Sequence, residues 1–178
     1  MSNRKKVIAI CGSTKANSSN LKLIYAIEKL ASGKFEISVF RDIASIPHFN
    51  PDLDNEAPPA AVAEFRNKLR NSDGILICTP EYAMGVPGSL KNAIDWTVSS
   101  MEFSQKPTAL ITASSLGQKG HASLIETLKI IEARITEETQ LLISYINAKI
   151  NSDGEITDEN TTAAIIRLID QLEILLDN

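Results

Sequence analysis

The sequence predicts an α/β domain, a parallel sheet of five strands with helices on both faces. Five short apolar runs alternate with segments whose apolar residues recur at helical spacing, the pattern of strand–helix–strand units. Several of these runs are apolar at nearly every position, as expected of strands covered on both faces. The chain has 178 residues, 43% of them hydrophobic. That is enough to build one domain with a full core over residues 1–178.

The elements follow in order. Val7–Cys11 is the first buried strand, and Asn20–Ala31 carries a helical stripe through Leu21, Ile24, Ile27 and Leu30. Phe35–Phe40 partly alternates, so it reads as a strand nearer a sheet edge. From Asp42 to Pro59, four prolines and several Asn and Asp residues forbid long regular structure. A helix starts at Pro59 and runs through Val62, Phe65 and Leu69. Gly74–Cys78 is the next buried strand. It opens into the loop Thr79–Gly88, and a helix follows from Ser89 through Trp96. Thr108–Thr112 is a fourth strand, ending in the Ser/Gly loop Ser114–Gly120. His121–Arg134 reads as helix, Leu141–Ile146 as the fifth strand and Asp158–Leu176 as the last helix. Periodicity does not give strand order, but size and strand count fit the doubly wound order 2-1-3-4-5.

Composition removes several function classes. A net charge of −4 argues against a nucleic-acid partner, which needs a basic face. The apolar runs are far shorter than a membrane span. The basic start Met1–Lys6 precedes too short an apolar run to read as a signal peptide. Cys11 and Cys78 end apolar strands and read as buried free thiols in a reducing compartment, which makes the cytoplasm the expected location. His48 and His121 accompany no Cys or carboxylate cluster, so no metal site is expected. His48 reads as solvated or at an interface, and His121 as a surface residue.

In a doubly wound sheet the ligand lies beyond the carboxyl ends of the strands. Three polar loops leave those ends. The first, Gly12–Asn20, runs into a helix and brings Ser13, Ser18, Ser19 and the Lys15 ammonium near unpaired amides at a helix N-terminus. That suits an anion, phosphate above all. The alternative is an ordinary βα turn capped by Ser18 or Ser19. The second loop, Pro80–Gly88, holds two prolines and two glycines. These fix its backbone so that its amides can meet the edge of a flat heterocycle. Tyr82 adds an aromatic surface, and Glu81 offers an acceptor for nearby N–H groups. The alternative is a connector without a ligand. The third loop is polar and can approach a ligand closely. No G-x-x-x-x-G-K-[ST] and no G-x-G-x-x-G follows the first strand, which argues against P-loop and Rossmann nucleotide sites.

Two of these stretches together resemble the NAD(P)H-dependent FMN reductases, a flavodoxin-like family with quinone, azo and chromate reductase members. Its first loop reads roughly G-S-x-R-x-x-S-x-N, here Gly12-Ser13-Thr14-Lys15-Ala16-Asn17-Ser18-Ser19-Asn20. Its second motif is P-E-Y-N-x-x-x-P-G-x-L-K-N-A-I-D-W, here Pro80 to Trp96. The resemblance implies a flavodoxin-like three-layer sandwich and FMN as cofactor, with NADPH or NADH as co-substrate. It further implies a small-molecule electron acceptor such as a quinone, flavin, azo compound or oxyanion. Ser13, Lys15, Ser18, Ser19 and Asn20 would hold the FMN phosphate. Pro80, Glu81, Tyr82, Ala83 and Met84 would border the ring and ribityl chain, and Ser115 and Gly117 its far side. No catalytic side chain is implied, since the cofactor carries the redox chemistry. Leu90–Trp96 and the Asp42–Pro59 loop would support a homodimer or homotetramer. The chain departs from the family at Lys15, usually Arg, which loses the bidentate fork, and at Ala83, usually Asn. A flavodoxin-like electron carrier and a regulatory flavin-binding protein are the alternative readings.

Overall fold

The computed structural model of the chain describes residues 4–178; the first three residues of the basic start lie outside them. Five parallel strands, β1 (Lys6–Cys11), β2 (Glu36–Phe40), β3 (Gly74–Thr79), β4 (Thr108–Ser114) and β5 (Gln140–Ser144), form one sheet in the order 2-1-3-4-5. The order and class agree with the reading above. In β1 the chain alternates between two cores. Val7, Ala9 and Cys11 join the core under α1 (Ser19–Leu30) and α5 (Glu159–Asp177). Ile8 and Ile10 join the core under α2 (Ala60–Arg70), α3 (Gly88–Asp95) and α4 (Gln118–Ile130). This double burial is why Val7–Cys11 of β1 and Ile75–Cys78 of β3 are apolar at every position, while β2 and β5, at the edges, carry polar residues within their lengths.

Several boundaries move, three of them for a plain local reason. Helix α4 starts at Gln118 rather than His121 because Gly117, at φ 100°, turns the chain directly into it. It ends at Ile130, short of Arg134, where Glu132 takes φ 60°. Strand β5 stops at Ser144, since Tyr145 adopts φ 57° and Ile146–Ala148 fold into a 3-10 turn. His121 is half-buried rather than on the surface. Its Nδ1 lies 2.9 Å from Thr112 Oγ1, and burial pulls the imidazole below its ordinary pKa.

The proline-rich stretch contains two 3-10 turns, Ile43–Ser45 and Pro51–Leu53, and is tied down along its length. The Asn92 side chain accepts from Phe49 N–H at 2.7 Å and donates to the Pro47 carbonyl at 2.9 Å. Trp96 Nε1 donates to the same carbonyl at 2.8 Å, and its ring meets Phe49 edge-on at 5.1 Å. Much of the second motif therefore anchors this strap and does not face the carboxyl end of the sheet.

Candidate functional site

The first loop leaves β1 at Gly12, whose N–H donates to the Cys78 carbonyl on β3 at 2.9 Å. Ser18 is the N-cap of α1: its hydroxyl oxygen accepts from Asn20 N–H at 3.2 Å. The Ser13 hydroxyl oxygen accepts from Lys15 N–H at 3.3 Å. Two thiols hold the loop from below. Cys11 Sγ donates to the Ser13 carbonyl at 3.4 Å and Cys78 Sγ to Asn20 Oδ1 at 3.3 Å. Burial raises both thiol pKa values, Cys78 well above the ordinary range. They remain protonated donors and offer no thiolate. Asn20, almost fully buried, also donates through Nδ2 to the Ala113 carbonyl at 3.1 Å. Its side chain thus ties α1 to β3 and β4.

The loops enclose a crevice of about 170 Å³. Eight of the residues singled out from sequence line it: Ser13, Lys15, Ser18, Ser19, Asn20, Pro80, Tyr82 and Ser115. Lys15 is the single charged side chain among the lining residues, and it makes no ion pair among the described residues. At the start of α1 the amides of Ser19 and Leu21 likewise donate to no acceptor within the described chain. A lone cation, a helix N-terminus with open N–H groups and no carboxylate on the walls make a place for an anion. These donors fit a phosphate dianion, and the fixed Pro80–Tyr82 wall fits a flat ring beside it. A larger cavity, about 460 Å³, lies between the strap and α2. Both of its cations are already paired, Arg66 with Asp54 and Arg70 with Glu102, each at 2.6 Å, and Glu56 adds a further negative charge to its lining.

Four of the residues singled out do not line the crevice. Ala83 and Met84 sit exposed at the tip of a two-residue turn, at φ 50° and 63°. Tyr82 N–H donates to the Gly85 carbonyl at 2.8 Å and Gly85 N–H to the Tyr82 carbonyl at 2.9 Å, closing it. Two successive positive φ angles define a type I′ turn, which Asn tolerates better than Ala. The departure at Ala83 therefore falls on turn geometry, away from the crevice walls. Gly117 packs under Leu142, where a Cβ would come within 2.7 Å of Leu142 Cδ1. Glu81 points the other way, into α4: its Oε2 accepts from Gly120 N–H at 2.7 Å. Because the N-cap Gly117 has no side chain, Glu81 supplies the missing cap from another loop. Its own N–H donates to Ser114 Oγ at 3.2 Å. Together these bonds fix the wall that carries Tyr82. Glu81→Ala is expected to cost about 1–2 kcal/mol of unfolding free energy. Glu81→Gln, which keeps an acceptor oxygen, should cost less than half as much in the same urea titration. Equal losses would remove the capping role.

Sequence reasoning missed Ala113, Ile146 and Asn147 and named Ser114 only as the start of the third loop; all four line the crevice. Ile146 and Asn147 follow the end of β5. Sites lie beyond strand carboxyl ends, but the apolar run carries the expected fifth strand to Ile146, two residues past the end of β5. Among the described residues no group of three or more His, Cys, Asp or Glu converges as a metal site would require, and no helix is long and apolar enough to cross a membrane.

Comparison with known proteins finds relatives along most of the chain. A family model described as NADPH-dependent FMN reductase matches residues 5–148. A quinone reductase of Escherichia coli K12 is 32% identical over 169 residues, covering 90% of this chain and 89% of its own. An NAD(P)H-dependent FMN reductase of Pseudomonas aeruginosa is 32% identical over 180 residues, covering 98% and 96%. Among solved structures, the flavoenzyme NAD(P)H:(acceptor) oxidoreductase FerB from Paracoccus denitrificans superposes with a TM-score of 0.86 at 30% identity, covering 97% of both chains.

Proposed function

Because the chain belongs to the NADPH-dependent FMN reductase family, we propose that the crevice beyond β1, β3, β4 and β5 is its FMN site, within one domain spanning residues 1–178. The protein is an FMN-dependent NAD(P)H oxidoreductase. When bound, FMN supplies the two-electron chemistry between NAD(P)H and the acceptor. The residues do the rest. Lys15, the open amides at the start of α1 and the hydroxyls of Ser13, Ser18 and Ser19 hold the phosphate. Asn20 holds that loop in place from inside. Pro80 and Tyr82 border the ring, with Glu81, Ala83 and Met84 setting the turn that presents Tyr82. Ser115 lines the opposite wall, and Gly117 behind it turns the chain into α4. No side chain is assigned a proton-transfer role, since hydride passage between two bound molecules requires none.

The observation that carries this reading is the solitary Lys15 charge beside an open helix N-terminus. It is tested by comparing FMN with riboflavin, which lacks the phosphate. Lys15→Ala is expected to weaken FMN on the order of ten-fold, as for loss of a charged hydrogen bond, and to leave riboflavin within about two-fold. Flavin fluorescence quenching at fixed salt reads both. Unchanged FMN affinity, or equal weakening of the two flavins, would remove Lys15 from the site. Turnover of NADPH or NADH with a quinone then separates an enzyme from an electron carrier.

The acceptor is a small molecule: a quinone, flavin, azo compound or oxyanion. A homodimer or homotetramer is favoured by the shape of the site. The crevice, about 170 Å³, is smaller than pockets that enclose a drug-sized ligand, roughly 300 Å³ upward. Around it Tyr82, Met84, Leu116 and Tyr145 are each more than half exposed, an apolar rim that a second copy would cover. With two free buried cysteines, a cytoplasmic location is the one we favour.

A further inference from the structure

Beyond β5 the chain turns sharply toward the first loop. Ser144 Oγ donates to the Leu116 carbonyl at 2.8 Å and Tyr145 N–H to the Ser115 carbonyl at 3.1 Å, which sews this turn to the loop after β4. Tyr145, at φ 57°, then reverses the chain. The 3-10 turn that follows buries Ile146 and leaves Asn147 exposed on the crevice wall. There Asn147 Oδ1 accepts the Ser19 hydroxyl proton at 2.7 Å, bridging 128 residues of sequence.

This bond creates a conflict. Ser19 has one hydroxyl proton, and Asn147 takes it. A phosphate dianion only accepts, so Ser19 must turn that proton away from Asn147 to bind one. If Asn147 kept its carbonyl oxygen in place, two oxygens would then face each other without a proton between them. An amide resolves this by rotating about its last side-chain bond, exchanging Oδ1 for Nδ2 and donating to the Ser19 oxygen instead. We propose that Asn147 is a positioning residue of the phosphate site, switching from acceptor to donor toward Ser19 when a phosphate group enters. The inference rests on the FMN reading of the crevice given above.

Aspartate is the discriminating substitution, because it has the same shape but only accepts. At position 147 it would keep the Ser19 proton and set a second charge beside Lys15, the single charge on the crevice walls. The test measures FMN and riboflavin affinity by fluorescence quenching for wild type, Asn147→Asp and Asn147→Ala. Asn147→Asp is expected to lose about 30-fold in FMN affinity and Asn147→Ala about 3- to 5-fold. Riboflavin should stay within about two-fold for both. Ser19→Ala in the Asn147→Asp background should remove part of the aspartate penalty, since the captured proton is then gone. The inference is overturned if Asn147→Asp binds FMN as wild type does, or loses both flavins equally. In either case the FMN site stands as long as Lys15→Ala still weakens FMN alone. If wild type does not bind FMN, the flavin reading and this inference fall together.

Discussion

Gly12→Ala is expected to cost about 3 kcal/mol of unfolding free energy, the upper end for forcing a methyl group into a packed interior. A Cβ at position 12 would sit 2.2 Å from Thr79 Oγ1, 2.7 Å from Thr79 Cβ and 3.1 Å from Leu90 Cδ2. Thr79 and Leu90 are both fully buried. A rotamer change can move Oγ1, but the Thr79 Cβ is fixed by the β3 backbone. Relief therefore requires β1 and β3 to part at their carboxyl ends, where the Gly12 N–H to Cys78 carbonyl bond now holds them at 2.9 Å. That junction carries the first loop and the base of the second, so FMN affinity should fall with stability. Urea titration measures the first effect and flavin quenching the second. Adding Thr79→Ala, which removes Oγ1, should recover part of the loss. A Gly12→Ala protein within about 0.5 kcal/mol of wild type would show that the strands separate more freely than their packing implies.

The fold was legible because burial on two faces leaves a strong trace in sequence. Val7–Cys11 and Gly74–Cys78 are apolar at successive positions only because each strand faces two cores. The polar loops after them were legible as well, since a sheet wound on both faces leaves its strand ends open. Less visible was how individual polar side chains are used. Asn20 was expected to face an anion, yet its amide turns inward to Ala113 and Cys78. Residue type alone does not give that direction. Glu81 was read as an acceptor for nearby N–H groups, and it is one, but its donor is 39 positions away on α4. A helix capped from another loop carries no local signal. The sequence accordingly predicts the start of α4 three residues late, at His121, after the Ser/Gly loop Ser114–Gly120. Asn147 was hidden because Tyr145, whose ring and type favour strands, takes a left-handed conformation that ends β5 early.

The remaining large effect is expected at Arg66, which holds the strap against the body of the molecule. Its side chain is 6% exposed and that of its partner Asp54 11%. Nε donates to the Trp96 carbonyl at 2.8 Å, and Nη2 reaches both that carbonyl and Asp54 Oδ1. Arg66→Met keeps much of the length but leaves Asp54 with Ser99 alone, at 2.7 Å. Loss of one partner from a buried pair costs about 3 kcal/mol. The neighbouring cavity admits water to Asp54, which argues for the lower end of the usual range. The loss should depend on pH. Arg66 first, and then Ser99, hold the Asp54 carboxyl below its ordinary pKa. A folded pKa below the unfolded value gives stability that is complete above about pH 4 and is lost as pH falls through the folded value. Wild type and Arg66→Met should thus differ fully at pH 7 and converge in more acid solution. Asp54→Asn in the Arg66→Met background should recover part of the loss at pH 7, since it removes the stranded charge. A pH-independent difference between the two proteins would assign the effect to Arg66 packing and its bonds to Trp96, with the ion pair contributing little. Urea midpoints at pH 7 and pH 3.5 decide between them, and cleavage within residues 52–57 under limited proteolysis shows whether the strap is released along with the charge.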